Sequence, residues 1–249
     1  MAYNPKGENT MNRLFHLEHG VIPACDVYDI KTFRKLIEAT CDVEGIVGYK
    51  IGAILGLTYG LPQLVNIVNE YTDLPVIYDH QKAGTDIPRM GEKFATTCAE
   101  AGLKGVIIFP QAGPQTEAAF IDALYDKNLV PMVGGEMTHQ GYLAKEAGFI
   151  RDNAPVEMYT IAAEKGVNHF IVPGNKPAVI KQYHKLLSGI VKAPEYSMPG
   201  IGKQGGDILS AFEALEGAPA YAIIGAGIYE HDDMADAARR FCDEALNLA

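Results

Sequence analysis

Residues 168–201 read NHFIVPGNKPAVIKQYHKLLSGIVKAPEYSMPGI. A short apolar run, Asn168 to Pro173, breaks at a polar turn. PAVIKQYHKLLSGIV then carries apolar residues at helical spacing, and Tyr196 to Ile201 starts a second short run. Strand, turn, amphipathic helix and strand form the unit of a parallel sheet, since two parallel neighbours need a long crossover between them.

Outward from this unit the pattern repeats in both directions. Candidate strands are Val21 to Asp26, Gly45 to Ile51, Pro75 to Asp79, Gly105 to Pro110, Val130 to Gly135, Asn168 to Pro173, Tyr196 to Ile201 and Tyr221 to Gly225. IKTFRKLIEATCDV after the first and GEKFATTCAEAG after the third have helical spacing. Eight strands in 249 residues leave about 31 per unit, the size of a βαβ repeat. The expected fold is one α/β domain over 1–249, a (β/α)8 TIM barrel, with 1–18 as an N-terminal extension packing on it. A doubly wound open sheet is the alternative, because its local pattern is similar.

The composition is that of an ordinary globular chain, 48% hydrophobic and 21% charged. A formal net charge of -10 argues against a nucleic-acid surface, which needs clustered cations. Cys25, Cys41, Cys98 and Cys242 show no CxxC pair and no metal-ligand spacing, so they read as reduced, mostly buried thiols. MAYNPKGENTMNRLF lacks the apolar run of a signal peptide, and no stretch is apolar enough to span a membrane. The expectation is a cytoplasmic protein with neither membrane nor nucleic acid as partner.

Barrel active sites sit where strands end and lead into helices. The ionisable residues there are Asp26 in IPACD, Lys50 in VGYKIG, and Asp79, Lys82 and Asp86 in VIYDHQKAGTDIP. From Lys50 to Asp86 cation and anion alternate, which lets each ion in a dehydrated cleft find a partner. A structural rim of salt bridges would have the same pattern. His80 reads as a hydrogen-bonding spacer rather than a base.

Three loops add polar groups. VGGEMTHQG places Thr138 and His139 on a turn able to read the edge of a planar ligand, or to cap a helix through Thr138. MPGIGKQGGD, starting near Pro199, offers glycine N–H groups together with Lys203 and Gln204, and Asp207 opens a helix. IIGAGIYE gives a second glycine turn, Gly225 to Gly227. Loops after the last two strands commonly hold a substrate phosphate in this fold.

With these motifs in place, the chain resembles the orotidine 5'-phosphate decarboxylase family from ACD through YKIG, DHQKAGTDIP, GEMTHQG and PGIGKQGGD to IIGAGIY. The resemblance implies a cofactor-independent, metal-free conversion of orotidine 5'-phosphate to UMP. It assigns Lys50, Asp79, Lys82 and Asp86 to a catalytic charge array. Asp86 and Ile87 would reach the neighbouring site of a homodimer. Asp26 and Lys50 would hold ribose hydroxyls, Asp79 would lie beside the substrate carboxylate, and Lys82 would protonate C6 as carbon dioxide leaves. Thr138 would meet the pyrimidine amide, and Gln204 would bridge base and phosphate from a flexible lid. The reaction needs electrostatic stabilisation of an electron pair left on a ring carbon, with an acid at hand, and an ammonium supplies both.

Two departures stand out. The family pattern Asp-x-Lys-x-x-Asp is stretched, with Asp79 and Lys82 three apart and Lys82 and Asp86 four apart. On a continuous strand this would turn one side chain away, unless a bulge at His80 and Gln81 or an early exit into the turn restores convergence. Ala226 stands where the family carries a phosphate-gripping arginine, so Lys203 and the backbone N–H groups near Gly225 to Gly227 are expected to take over. Competing readings are a Mg2+-dependent sugar-phosphate aldolase or decarboxylase of the same superfamily, which has an acid where Lys50 stands, and a non-catalytic nucleotide-binding barrel.

Overall fold

The computed structural model describes residues 13–80 and 86–248. Eight strands form the sheet: β1 (His19–Pro23), β2 (Tyr49–Ile51), β3 (Val76–Asp79), β4 (Gly105–Ile108), β5 (Val130–Gly134), β6 (His169–Ile171), β7 (Glu195–Met198) and β8 (Ala220–Ile224). Every pairing is parallel, in the order β1-β8-β7-β6-β5-β4-β3-β2. Parallel bridges Val21–Ile46 and Ala24–Lys50 join β1 to the segment of β2. The sheet therefore closes on itself, and the open-sheet alternative is excluded.

The helices are α1 (Ile30–Thr40), α2 (Ala53–Tyr59), α3 (Leu61–Asn69), α4 (Gly91–Glu100), α5 (Pro114–Asp126), α6 (Ala154–Glu164), α7 (Pro177–Ser188), α8 (Ile208–Glu213), α9 (Ala226–Tyr229) and α10 (Met234–Leu246). Side chains capable of accepting hydrogen bonds start several of them. Asp29 accepts from Thr32 N–H and Asp207 from Ser210 N–H, satisfying donors that a helix start leaves without partners.

Strand alternation sorts the apolar residues into two layers. Ile22, Ile77, Ile107, Phe109, Met132, Ile171, Tyr221 and Ile223 fill the barrel, while Val21, Tyr78, Val106, Ile108, Phe170 and Ile224 face the helices. Lys50 and Asp79 fall on the inward parity at the carboxyl ends of β2 and β3. β2 is shorter than its sequence suggests, because Gly45 lies at φ +92°. Its carbonyl and the Val47 N–H bond Val21 one residue at a time instead of extending a regular ladder.

At the amino ends of the strands, residues 13–18 cross the barrel. Phe15 is wholly buried against the Tyr221 and His169 rings. Arg13 pairs with Glu195 at 3.4 Å and donates to the Tyr221 hydroxyl at 3.2 Å. With its floor plugged, the barrel is open to ligands at the opposite mouth. Among the described residues no helix is long and apolar enough to cross a membrane.

Candidate active site

Lys50 is the centre of the mouth. Its Nζ donates to Asp79 Oδ2 at 2.7 Å and lies 3.3 Å from Asp26 Oδ2. The side chains of Lys50 and Asp79 are only 7% and 8% exposed, whereas that of Asp26 is 42% exposed. Burial acts to lower the Lys50 pKa, but the carboxylates of Asp79 and Asp26 outweigh it and hold the ammonium above its ordinary range. Gly52 makes room for this triad, since a Cβ there would stand 2.3 Å from Asp26 Oδ1. Asp79 Oδ1 is buried with no hydrogen-bond partner among the described residues.

Asp26, Lys50, Asp79, Thr138, Pro199, Lys203, Gln204, Gly225, Ala226 and Gly227 all line one cavity of about 1180 Å³. That volume admits a ligand of nucleotide size. Asp86 and Ile87 do not line it. They border a separate depression with residues 112–116, where the Asp86 carbonyl accepts from the Thr116 hydroxyl at 3.0 Å. Lys82 and Gln81 lie outside the described residues. His80 bonds the Tyr78 hydroxyl through Nδ1 at 2.7 Å, and its ring lies tilted, 5.5 Å from that of Phe94.

The loop after β7 differs from its expectation as a source of free N–H groups. Gly202 N–H donates to Gly206 C=O at 2.8 Å, Gly205 to Gly202 at 2.9 Å and Gly206 to Gly200 at 3.1 Å. The turn thus spends these three glycine donors on itself, and positive φ at Gly200, Gly202 and Gly205 makes this compact path possible. Lys203 forms an ion pair with Glu230, just past α9. The N–H groups of Ala226 and Gly227 open α9, where no intrahelical acceptor exists.

Sequence reasoning missed four polar residues beside the cavity. Glu136 and Asn175 line it, while Lys176 and Tyr183 hold Glu136 from behind. Glu136 and Lys176 follow β5 and β6, so the strand-end rule that singled out Lys50 would have found them.

A closed parallel barrel with an ammonium fixed between two carboxylates at its carboxyl mouth has the make-up of a (β/α)8-barrel enzyme, whose active site sits at that mouth. The profile described as "Orotidine 5'-phosphate decarboxylase / HUMPS family" matches residues 20–241. The chain belongs to that family. The orotidine 5'-phosphate decarboxylase of Pyrococcus abyssi is 31% identical over 226 residues, covering 90% of this chain and 98% of that protein. Its namesake from Methanococcoides burtonii is 28% identical over 227 residues, covering 90% and 96%. Among solved structures, the enzyme of Pyrococcus horikoshii superposes with a TM-score of 0.74 at 25% identity, over 90% of this chain and 98% of that one. The Methanocaldococcus jannaschii enzyme, complexed with the inhibitor BMP, gives 0.78 at 23% identity over 91% and 98%, a likeness of fold.

Proposed function

We propose that this chain decarboxylates orotidine 5'-phosphate to UMP without cofactor or metal, as a cytoplasmic carboxy-lyase of pyrimidine biosynthesis. The observation that carries the reading is the Lys50 ammonium fixed between Asp79 and Asp26, in a family whose curated relatives reported above are orotidine 5'-phosphate decarboxylases. Lys50 already neutralises the acids that a divalent ion would need, which favours this reaction over the Mg2+-dependent alternative.

In the proposed reaction the bond from C6 to the carboxylate breaks and carbon dioxide leaves. The electron pair stays on C6 and takes a proton from the Lys82 ammonium. Asp79 would stand beside the departing carboxylate and orient Lys82; its Oδ1, without a partner among the described residues, supports that role. Asp26 and Lys50 would hold ribose hydroxyls, and Thr138 would meet the pyrimidine amide. Gln204 would reach base and phosphate from above Pro199, and Lys203 with the turn Gly225 to Gly227 would receive the phosphate. The chain would act as a homodimer, with Asp86 and Ile87 of each protomer serving the other's site; their absence from their own cavity fits that arrangement.

The second reading, a nucleotide-binding barrel without catalysis, is favoured by Ala226, which supplies no donor side chain for a phosphate. Release of labelled carbon dioxide from carboxyl-labelled orotidine 5'-phosphate separates the two, with Lys82→Ala as control and EDTA in a parallel series. Release by the wild-type protein, undiminished by EDTA and lost in the variant, is expected. UMP binding with no release would establish the binding module, and strict metal dependence would establish the Mg2+ enzyme.

A further inference from the structure

Two consecutive carbonyls in the loop after β5 are held by two consecutive residues of the loop after β6. Asn175 Nδ2 donates to Thr138 C=O at 3.1 Å, and Lys176 Nζ donates to Met137 C=O at 3.1 Å. Lys176 also donates to Glu136 Oε1 at 2.8 Å, and Glu136 Oε2 accepts from the Tyr183 hydroxyl of α7 at 2.5 Å. Glu146 stands 3.7 Å from the same ammonium. Glu136 is 4% exposed, so its bonds with Lys176 and Tyr183 are partly shielded from water and rigid.

We propose that Asn175 and Lys176, the latter fixed by Glu136 and Tyr183, are positioning residues that set the loop 137–139 for discrimination of the pyrimidine edge. In a trans peptide the N–H points opposite to the preceding carbonyl. Holding the carbonyls of Met137 and Thr138 toward the β6 loop therefore turns the N–H groups of Thr138 and His139 the other way, and both residues line the cavity. A uracil-type edge offers a carbonyl acceptor beside a ring N–H, whereas a cytosine-type edge inverts that pattern. An N–H held toward the position that is a carbonyl in one and an amino group in the other pairs with the first and meets a like donor on the second, and a loop free to rotate does not discriminate. Gly200 completes the brace: a Cβ there would stand 2.7 Å from Thr138 Cγ2 and 3.3 Å from Asn175 Oδ1.

The inference rests on the proposed nucleotide substrate and is tested by titration calorimetry on the full chain with UMP, CMP and ribose 5-phosphate. Wild-type protein is expected to prefer UMP to CMP. Asn175→Ala and Lys176→Met should each shrink that preference about tenfold, or ~1.4 kcal/mol, with ribose 5-phosphate affinity unchanged. Lys176→Arg keeps a cationic donor and should restore most of the preference. An unchanged UMP to CMP ratio in Asn175→Ala, or equal losses for UMP and ribose 5-phosphate, would overturn the positioning role. Should Lys176→Met fail to show a cooperative melt, Asn175→Ala and Lys176→Arg decide the matter. A wild-type protein with no preference for UMP would instead count against the substrate assignment, so the two failures are distinct.

Discussion

Glu117 in the first turn of α5 should make the protein lose stability as pH rises, and Glu117→Gln should remove that loss. Its residue is 1% exposed, and Oε1 is buried with no hydrogen-bond partner among the described residues. Burial pushes the carboxyl from its ordinary 4.5 up to about 8. The other charged groups lining the same groove, Arg151 and Glu157, are bonded to one another at 2.9 Å. Below pH 4.5 the carboxyl is protonated in folded and unfolded chains alike, and pH has no effect through this group. Between 4.5 and about 8 the unfolded chain releases the proton while the folded chain keeps it. Stability then falls by about 1.4 kcal/mol per pH unit, reaching a total of about 5 kcal/mol before the folded form ionises too. Glutamine stays neutral throughout. Urea denaturation of both proteins at fixed concentration, from pH 5 to 9, should give curves that diverge by several kcal/mol in favour of the variant. A constant offset between packing-altered proteins would be unremarkable, so the slope is what decides. Parallel curves across that range would refute the argument from burial.

Lys50→Met leaves Asp79 and Asp26 facing each other without a counter-ion, so a loss of about 3–5 kcal/mol in thermal or denaturant stability is expected, with carbon dioxide release falling to background. His169 is fully buried against Phe15 and bonds Ser197 Oγ at 2.8 Å; burial holds its pKa down to about 3. It should stay neutral to pH 4 in a proton NMR titration, and stability should drop as pH falls from 6.5 toward 3, because only the unfolded imidazole takes up a proton there. Lys203→Ala frees Glu230 and removes a cation from the end of the cavity proposed to receive the phosphate; KM for orotidine 5'-phosphate should rise about tenfold with kcat less affected, and an unchanged KM would exclude Lys203 as a phosphate ligand.

The barrel was legible because each strand is a compact apolar run and each crossover carries helical spacing, so local and global preferences agree. Element ends were less so: the run Gly45 to Ile51 looks continuous, yet the left-handed backbone at Gly45 delays the regular ladder until Tyr49. Lys50 and Asp79 could be placed in one mouth by strand parity alone. The pairing of Glu136 with Lys176 could not, although the strand-end rule reaches both residues, because partners 40 residues apart meet only when β5 and β6 lie side by side. Glu117 is harder still. An acid in a first helical turn ordinarily reads as a solvated partner of the helix dipole, and its burial is a product of tertiary packing that the pattern of α5 does not record.

The stretched interval after Asp79 illustrates how far spacing can be trusted. An argument that three residues turn a side chain to the other face holds only while the chain remains a strand. β3 ends at Asp79 itself, so alternation fixes the face of Asp79 and has no authority over residue 82. Asp79 does leave an acceptor open: one oxygen bonds Lys50, and the other is buried without a partner among the described residues. A buried carboxylate oxygen left in that state costs about 1–3 kcal/mol. In the proposed reaction Lys82 would be the group that relieves it, so the longer spacing is tested by whether Lys82→Ala loses activity rather than by strand alternation.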